Sequence, residues 1–181
     1  MATPVYSLSK KQIPSNPHDH KNGMKEDSQT FSHDIRIDKE GAWYYRGAEM
    51  FRKDIVDLLY RHLRRDEKGR YLIEFDNDRS YVDVEDTPFV IKAIYRSPSS
   101  EKEDSINLLM PDGGMEKLDP STLRVGDNDA LYCTISSQGF DARFSRASYY
   151  QIAEYIEQEH DAYFISLNGR RYYIKKDPTR L

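Results

Sequence analysis

The chain has one cysteine, Cys133, among its 181 residues. That excludes an intramolecular disulfide and a multi-cysteine zinc site, and it suits a reducing compartment. There is no surplus of positive charge either: 27 basic side chains stand against 31 acidic ones, for a net charge of -4. Without a global positive field to draw in a polyanionic backbone, nucleic acid is a disfavoured partner. No stretch approaches the ~18 apolar residues that a membrane helix needs, and the opening Met1 to Lys11 has no continuous apolar run. A cytoplasmic protein without a membrane partner is expected. No phosphate-binding glycine loop, nucleophile elbow or paired-histidine zinc helix occurs. No cofactor and no metal are therefore expected, and no catalytic residue can be named.

Tyrosine is plentiful, with 14 copies. Half-buried strand surfaces favour it, because the ring is apolar and the hydroxyl can reach water. Residues 1–33 hold three prolines, many polar side chains and no apolar periodicity, and so read as a flexible tail. Ile35-Arg36-Ile37 alternates as a strand before the turn Asp38 to Gly41, and a second strand follows over Ala42 to Arg46. Gly47 and Glu49 suit the start of a helix reaching about Arg65, with Phe51, Ile55, Leu58, Leu59 and Leu63 as its core stripe. Tyr71, Ile73 and Phe75 alternate toward the turn Asp76 to Arg79, and Tyr81 to Val84 completes a hairpin.

The same order recurs later in the chain. Leu131, Cys133 and Ile135 share a strand face, a turn leads to Phe140, Ala142 and Phe144, and Ser145 can cap a helix with Ile152, Ala153 and Ile156 inward. A hairpin over Asn168-Gly169 then joins Ala162–Leu167 to Arg170–Lys175. The fold expected is α+β: two lobes on a duplicated β-β-α-β-β motif with a β-rich bridge. The divisions are a tail over 1–33, a first lobe over 34–88, a bridge over 89–130, a second lobe over 131–176 and a tail over 177–181. Within the bridge, Phe89 to Tyr95 reads as one buried strand, and Ile106 to Met110 pairs with Met115 to Leu118.

Several candidate sites meet a plainer explanation. The acidic run from Asp76 fails as a calcium loop, since its sixth position is Tyr81 and its twelfth is Thr87, where glycine and a bidentate acid are required. His18-Asp19-His20 lies in the expected tail, and Cys133 is in phase with core residues, so a pairing with His160 is not supported. Arg170, Arg171, Lys175, Lys176 and Arg180 interleave with Tyr172 and Tyr173, which resembles a single-strand contact, but a charged edge strand explains them more simply. Glu85-Asp86-Thr87-Pro88-Phe89 runs acids directly into an apolar strand, so something must neutralise or solvate them. Arg124 is a candidate partner.

Two stretches carry a resemblance. Gly41-Ala42-Trp43-Tyr44-Tyr45-Arg46-Gly47 has the pattern G-x-W-x-Y-x-G, and Val84-Glu85-Asp86-Thr87-Pro88-Phe89 has V-E-D-x-P-F. With weaker similarity through Thr122 to Val125 and Leu131 to Ile152, the chain resembles bacterial domain-of-unknown-function family 1285 over nearly all of Ile35 to Lys175. The resemblance implies repeated motifs in a two-lobed α+β fold and a signalling role without an assigned reaction. This chain departs from the family pattern at Glu49-Met50, where Pro-Ile is common, and at Ser121-Thr122, where a histidine precedes Pro-Leu-Arg.

The resemblance makes Trp43, Tyr45, Glu85, Asp86 and Arg124 the candidate ligand-binding positions. The expected function is a non-enzymatic ligand-sensing or protein-interaction module in bacterial signal transduction. The alternative is a small-molecule hydrolase using Glu85 and Asp86 with Arg124 at the lobe junction. A small-molecule ligand, a protein partner and a homo-oligomer formed through an edge strand all stay open.

Overall fold

The computed structural model describes residues 34–177 apart from 77, 98–103, 136 and 138. The expectations for the tail 1–33, with His18 and His20, and for Arg180 lie outside the described residues. The described residues belong to one compact unit. Its architecture is α+β, with two α-helices among many short strands in several sheets in the described residues.

Alternation at Ile35-Arg36-Ile37 produces β1 (Ile35–Ile37), which pairs antiparallel with β2 (Trp43–Tyr45). Asp38 builds the turn between them: its Oδ1 accepts the N–H groups of Glu40 and Ala42, and its Oδ2 accepts the Tyr44 hydroxyl. Gly41 supplies the left-handed residue this turn needs, at φ 83°.

The next element departs from expectation. Gly47 lies in a tight turn and Glu49 belongs to β3 (Ala48–Glu49), which pairs with β2. Helix α1 (Lys53–His62) begins only after Arg52, which makes no side-chain cap. The expected core stripe is corrected as well. The helix turns Tyr60 inward, between Trp43 and Phe89, and at roughly 100° per residue this carries Ile55 and Leu58 to the far side. Phe51 is 81% exposed, with Ile55 and Leu58 also in solvent.

Beyond α1 come β4 (Leu63–Arg65), β5 (Tyr71–Phe75) and β6 (Asp78–Val84). The turn Asp66 to Gly69 repeats the first: Asp66 Oδ1 accepts from Lys68 and Arg70, and Gly69 has φ 79°. These strands form a six-stranded sheet in the order β3-β2-β1-β6-β5-β4, with β1 and β6 parallel.

The expected single strand over 89–95 is broken at Lys92. β7 (Phe89–Ile91) is buried throughout and lies beside a later strand, whereas β8 (Ala93–Ser97) joins β9 (Ser105–Leu109) and β10 (Met115–Lys117) in a separate sheet. Lys92 is exposed and its N–H is held by the Leu109 carbonyl, so the ladder changes partner there.

The remaining strands are β11 (Arg124–Val125), β12 (Leu131–Ile135) and β13 (Phe140–Phe144), followed by α2 (Arg146–Ala153). Last come β14 (Ile156–Glu159), β15 (Ala162–Leu167), β16 (Arg170–Tyr173) and β17 (Lys175–Lys176). Ser145 caps α2 as expected, accepting the Ser148 N–H. Ile156, assigned to the helix stripe from sequence, stands in β14 instead. The second large sheet runs β17-β11-β12-β13-β7, and β14-β15-β16 stands apart, with the Asn168-Gly169 hairpin in left-handed geometry.

The first stretch runs β1-β2-β3-α1-β4-β5-β6 and the second β12-β13-α2-β14-β15-β16, so the first has two strands (β3 and β4) more than expected and the second one (β14). The pairing differs between the two, however. The first hairpin joins its sheet through β1 and β6, whereas the second forms its own sheet.

One core runs through all of this. A chain of aromatic contacts crosses it, from Trp43 edge-on to Tyr60 at 5.0 Å, to Phe89 at 5.0 Å, and on to Phe140 at 5.9 Å. Ile152 and Ile165 complete it beyond β13. Truncating a ring such as Phe89 to alanine would cost about 3–5 kcal/mol. No helix among the described residues is long and apolar enough to cross a membrane.

Candidate functional site

The five-stranded sheet has two unlike faces. Leu131, Cys133, Ile135, Phe140, Ala142 and Phe144 point into the core. On the other face, register aligns Arg124 with Tyr132, Tyr132 with Arg143 and Arg143 with Val90, while Thr134 faces Asp141. Polar side chains at every second position of β12 and β13, between core residues, thus make a row on one surface.

Over part of this row lies a cleft of about 710 Å³. Tyr132 and Arg143 form its floor. The β1–β2 turn supplies Lys39 and Glu40, the segment after β6 supplies Glu85 and Asp86, and the first turns of α2 supply Arg146, Tyr149 and Tyr150. Asn128 and Asp129 close the rim with two consecutive left-handed residues, at φ 54° and 58°. Outside glycine this conformation carries strain, and such strain gathers at functional loops.

Arg143 is central. Its Nη1 donates to the Lys39 carbonyl at 2.9 Å and lies 3.8 Å from Glu40 Oε1, while its Nε lies 3.8 Å from Asp86 Oδ2. That last separation suits an ion pair but is too long for a hydrogen bond. Arg143 Nε is a buried donor without a hydrogen-bond acceptor. Asp86, its side chain 16% exposed, accepts the Tyr132 hydroxyl at 3.1 Å. Glu85 turns away to Arg36, at 3.4 Å, so the adjacent carboxylates serve different cations. Tyr150 is exposed, with the Arg146 guanidinium 5.9 Å from its ring centre.

The turn that carries Lys39 and Glu40 is fixed from below. Burial alone would raise the Asp38 pKa, but the N–H of Ala42, the Tyr44 hydroxyl, the N–H of Glu40 and the charge of Arg36 together hold it below its ordinary 3.8. The same bond to Asp38 pushes the Tyr44 hydroxyl up.

Of the candidates read from sequence, the cleft brings together Glu85 and Asp86. Trp43 is a core residue, 1% exposed, and Tyr45 stands at the surface beneath the Arg46 guanidinium. Arg124 is engaged elsewhere: it pairs with Asp141 at 2.5 Å and Asp177 at 2.8 Å, and donates to the Thr122 carbonyl and Thr134 hydroxyl. Two strand spacings of roughly 4.8 Å each separate its backbone from that of Arg143. The hydrolase arrangement needed Arg124 beside the acidic pair, and Arg143 occupies that position. Cys133 lies on the core face, where burial pushes its thiol up to about 12. Among the described residues, no three His, Cys, Asp or Glu side chains gather where they could hold a metal ion.

The sequence reading missed Arg143, Tyr132 and the tyrosines of α2. One signal was present, in that Asp141 and Arg143 interrupt the apolar β13 at alternate positions.

Residues 26–87 match the family model "Domain of unknown function (DUF1285), N-terminal domain". Both resemblance motifs fall wholly or largely within that match. A crystal structure of a DUF1285 family protein from Silicibacter pomeroyi DSS-3 is similar in fold, with TM-score 0.67, 21% identity and 80% of each chain covered. Another from Shewanella baltica OS155 has TM-score 0.56 at 20% identity, over 67% of this chain and 91% of that one. No curated protein matches the chain.

Proposed function

With the DUF1285 match as premise, we propose that this chain is a non-enzymatic small-molecule sensing module of bacterial signal transduction, whose ligand occupies the cleft over β12 and β13. The observation that carries this reading is Arg143 Nε, a buried donor at the floor of an open cleft without a hydrogen-bond acceptor. A buried donor left unmade costs about 1–3 kcal/mol, and a ligand oxygen would recover it. Lys39, Arg143 and Arg146 stand among Glu40, Glu85, Asp86 and Asp129, a mixed lining that suits a zwitterion. The tyrosines offer flat apolar faces for its body. No residue is assigned a chemical step: the two neighbouring acids have separate partners, and Cys133 is buried on the other face.

The test is a thermal-shift screen with free amino acids and dipeptides as probes, followed by calorimetry. A probe at a hundredfold its Kd adds about 2.7 kcal/mol, which raises the melting midpoint by roughly 5–10 °C at this chain length. Arg143→Ala should abolish the shift while Lys117→Ala leaves it intact. A screen in which no probe moves the midpoint, or in which Arg143→Ala binds as tightly as the parent, would overturn the reading.

A further inference from the structure

The chain is acidic overall, yet Arg61-His62-Leu63-Arg64-Arg65 and Lys68-Gly69-Arg70 concentrate positive charge within ten residues. The fold gathers this charge rather than dispersing it. A concavity of about 400 Å³ lies where α1 ends and β4, β5 and β6 run side by side. Its lining holds five basic residues, Arg64, Arg65, Lys68, Arg70 and Arg79, and three acidic ones. It shares no residue with the cleft described above.

Two of the three carboxylates already have partners: Asp66 pairs with Arg70 at 2.8 Å and Glu74 with Arg79 at 2.6 Å. Glu67 is the remaining carboxylate of the lining. The guanidiniums are also held in place. Arg64 Nη1 donates to the carbonyls of Arg61 and Leu63, both at 2.8 Å, which anchors the group at the end of α1. Arg65, next to Arg64 in β4 and so on its opposite face, instead donates to the Tyr71 hydroxyl at 2.8 Å, with its guanidinium carbon 5.1 Å from the Tyr71 ring centre. Arg70 is likewise placed against Tyr81. Guanidiniums fixed before a ligand arrives lose little entropy on binding, and their forked donors match phosphate oxygens.

We propose that this concavity binds a phosphate group, with Arg64 and Lys68 as its ligands. The volume suits a ligand up to about the size of a mononucleotide.

Calorimetry with inorganic pyrophosphate and with adenosine diphosphate tests this on the full chain, and flotation with vesicles containing phosphatidic acid tests a lipid headgroup as the source. Binding should weaken with added salt and fall about tenfold or more in Arg64→Ala. Arg64 also caps α1, so Lys68→Glu, at an exposed turn position, provides a second variant with the backbone bonds intact. Free pyrophosphate binding that both variants weaken supports the site. Vesicle binding alone, lost in both variants, supports it and assigns the phosphate to a lipid. No binding to any probe, or binding that neither variant changes, overturns it. An Arg143→Ala result leaves this outcome untouched, so the two readings fail separately.

Discussion

Gly41→Ala is expected to cost far more than Gly69→Ala, although the two glycines occupy the same position of the same Asp-built turn. Their φ angles are 83° and 79°, so each substitution forces a side chain into the left-handed region at a cost of about 1–2 kcal/mol. The surroundings differ. Around Gly69 a new Cβ meets nothing within 4 Å, whereas at Gly41 it would lie 2.9 Å from Val90 Cγ2 and 3.1 Å from Val90 Cβ. Val90 is 2% exposed and β-branched, so its freedom to swing aside is restricted. Overpacking of this kind adds about 1–3 kcal/mol. The sum is about 2–5 kcal/mol for Gly41→Ala against about 1–2 for Gly69→Ala. Equilibrium urea unfolding of the parent, both single variants, Val90→Ala and the Gly41→Ala/Val90→Ala pair would measure it. In the Val90→Ala background the cost at residue 41 should fall to within about 1 kcal/mol of that at residue 69, a coupling of the size expected for residues in contact. Equal costs at 41 and 69 in the parent, or no coupling to Val90, would refute the reasoning.

Arg124→Met should destabilise by about 3 kcal/mol, because it leaves Asp141 and the nearly buried Asp177 without their shared cation. Arg124→Lys should recover only part of that, since one ammonium cannot reproduce the forked contact, and a loss below about 1 kcal/mol on urea unfolding would contradict the structural role. Stability should also fall in acid. Asp38 and Asp66 are held below 3.8 in the folded chain, both against burial, by backbone and side-chain hydrogen bonds and by Arg36 or Arg70. Their contribution is complete above the unfolded value near 3.8 and is lost as pH falls through the lower folded values. The urea midpoint should drop more steeply below pH 4 in the parent than in Asp38→Asn/Asp66→Asn, and identical slopes would contradict it.

Local rules served where the chain itself supplies the partners. The Asn168-Gly169 hairpin, the Ser145 cap and the 106–118 hairpin follow from neighbouring residues and formed as expected. The α1 stripe misled because Phe51, Ile55 and Leu58 have ideal helical spacing, yet the helix is oriented by Tyr60 against Trp43 and Phe89, contacts that no local pattern encodes. The candidate site was half legible for the same reason. Glu85 and Asp86 stand out as charges running into an apolar strand, but their cation arrives from β13, 57 residues beyond Asp86, through a parallel strand pairing visible only once β7 and β13 meet. Arg124 was two strands too far along the same sheet.

The aromatic chain from Trp43 to Phe140 bears on where this protein can be divided. The family match ends at residue 87, two positions before Phe89, whose ring lies between Tyr60 and Phe140. A polypeptide cut at that boundary would present Tyr60 and Trp43 to water with their covering ring removed. The sequence unit and the cooperative unit are therefore different lengths of chain: melting should proceed as one transition across both, with the single tryptophan reporting on strands it never touches.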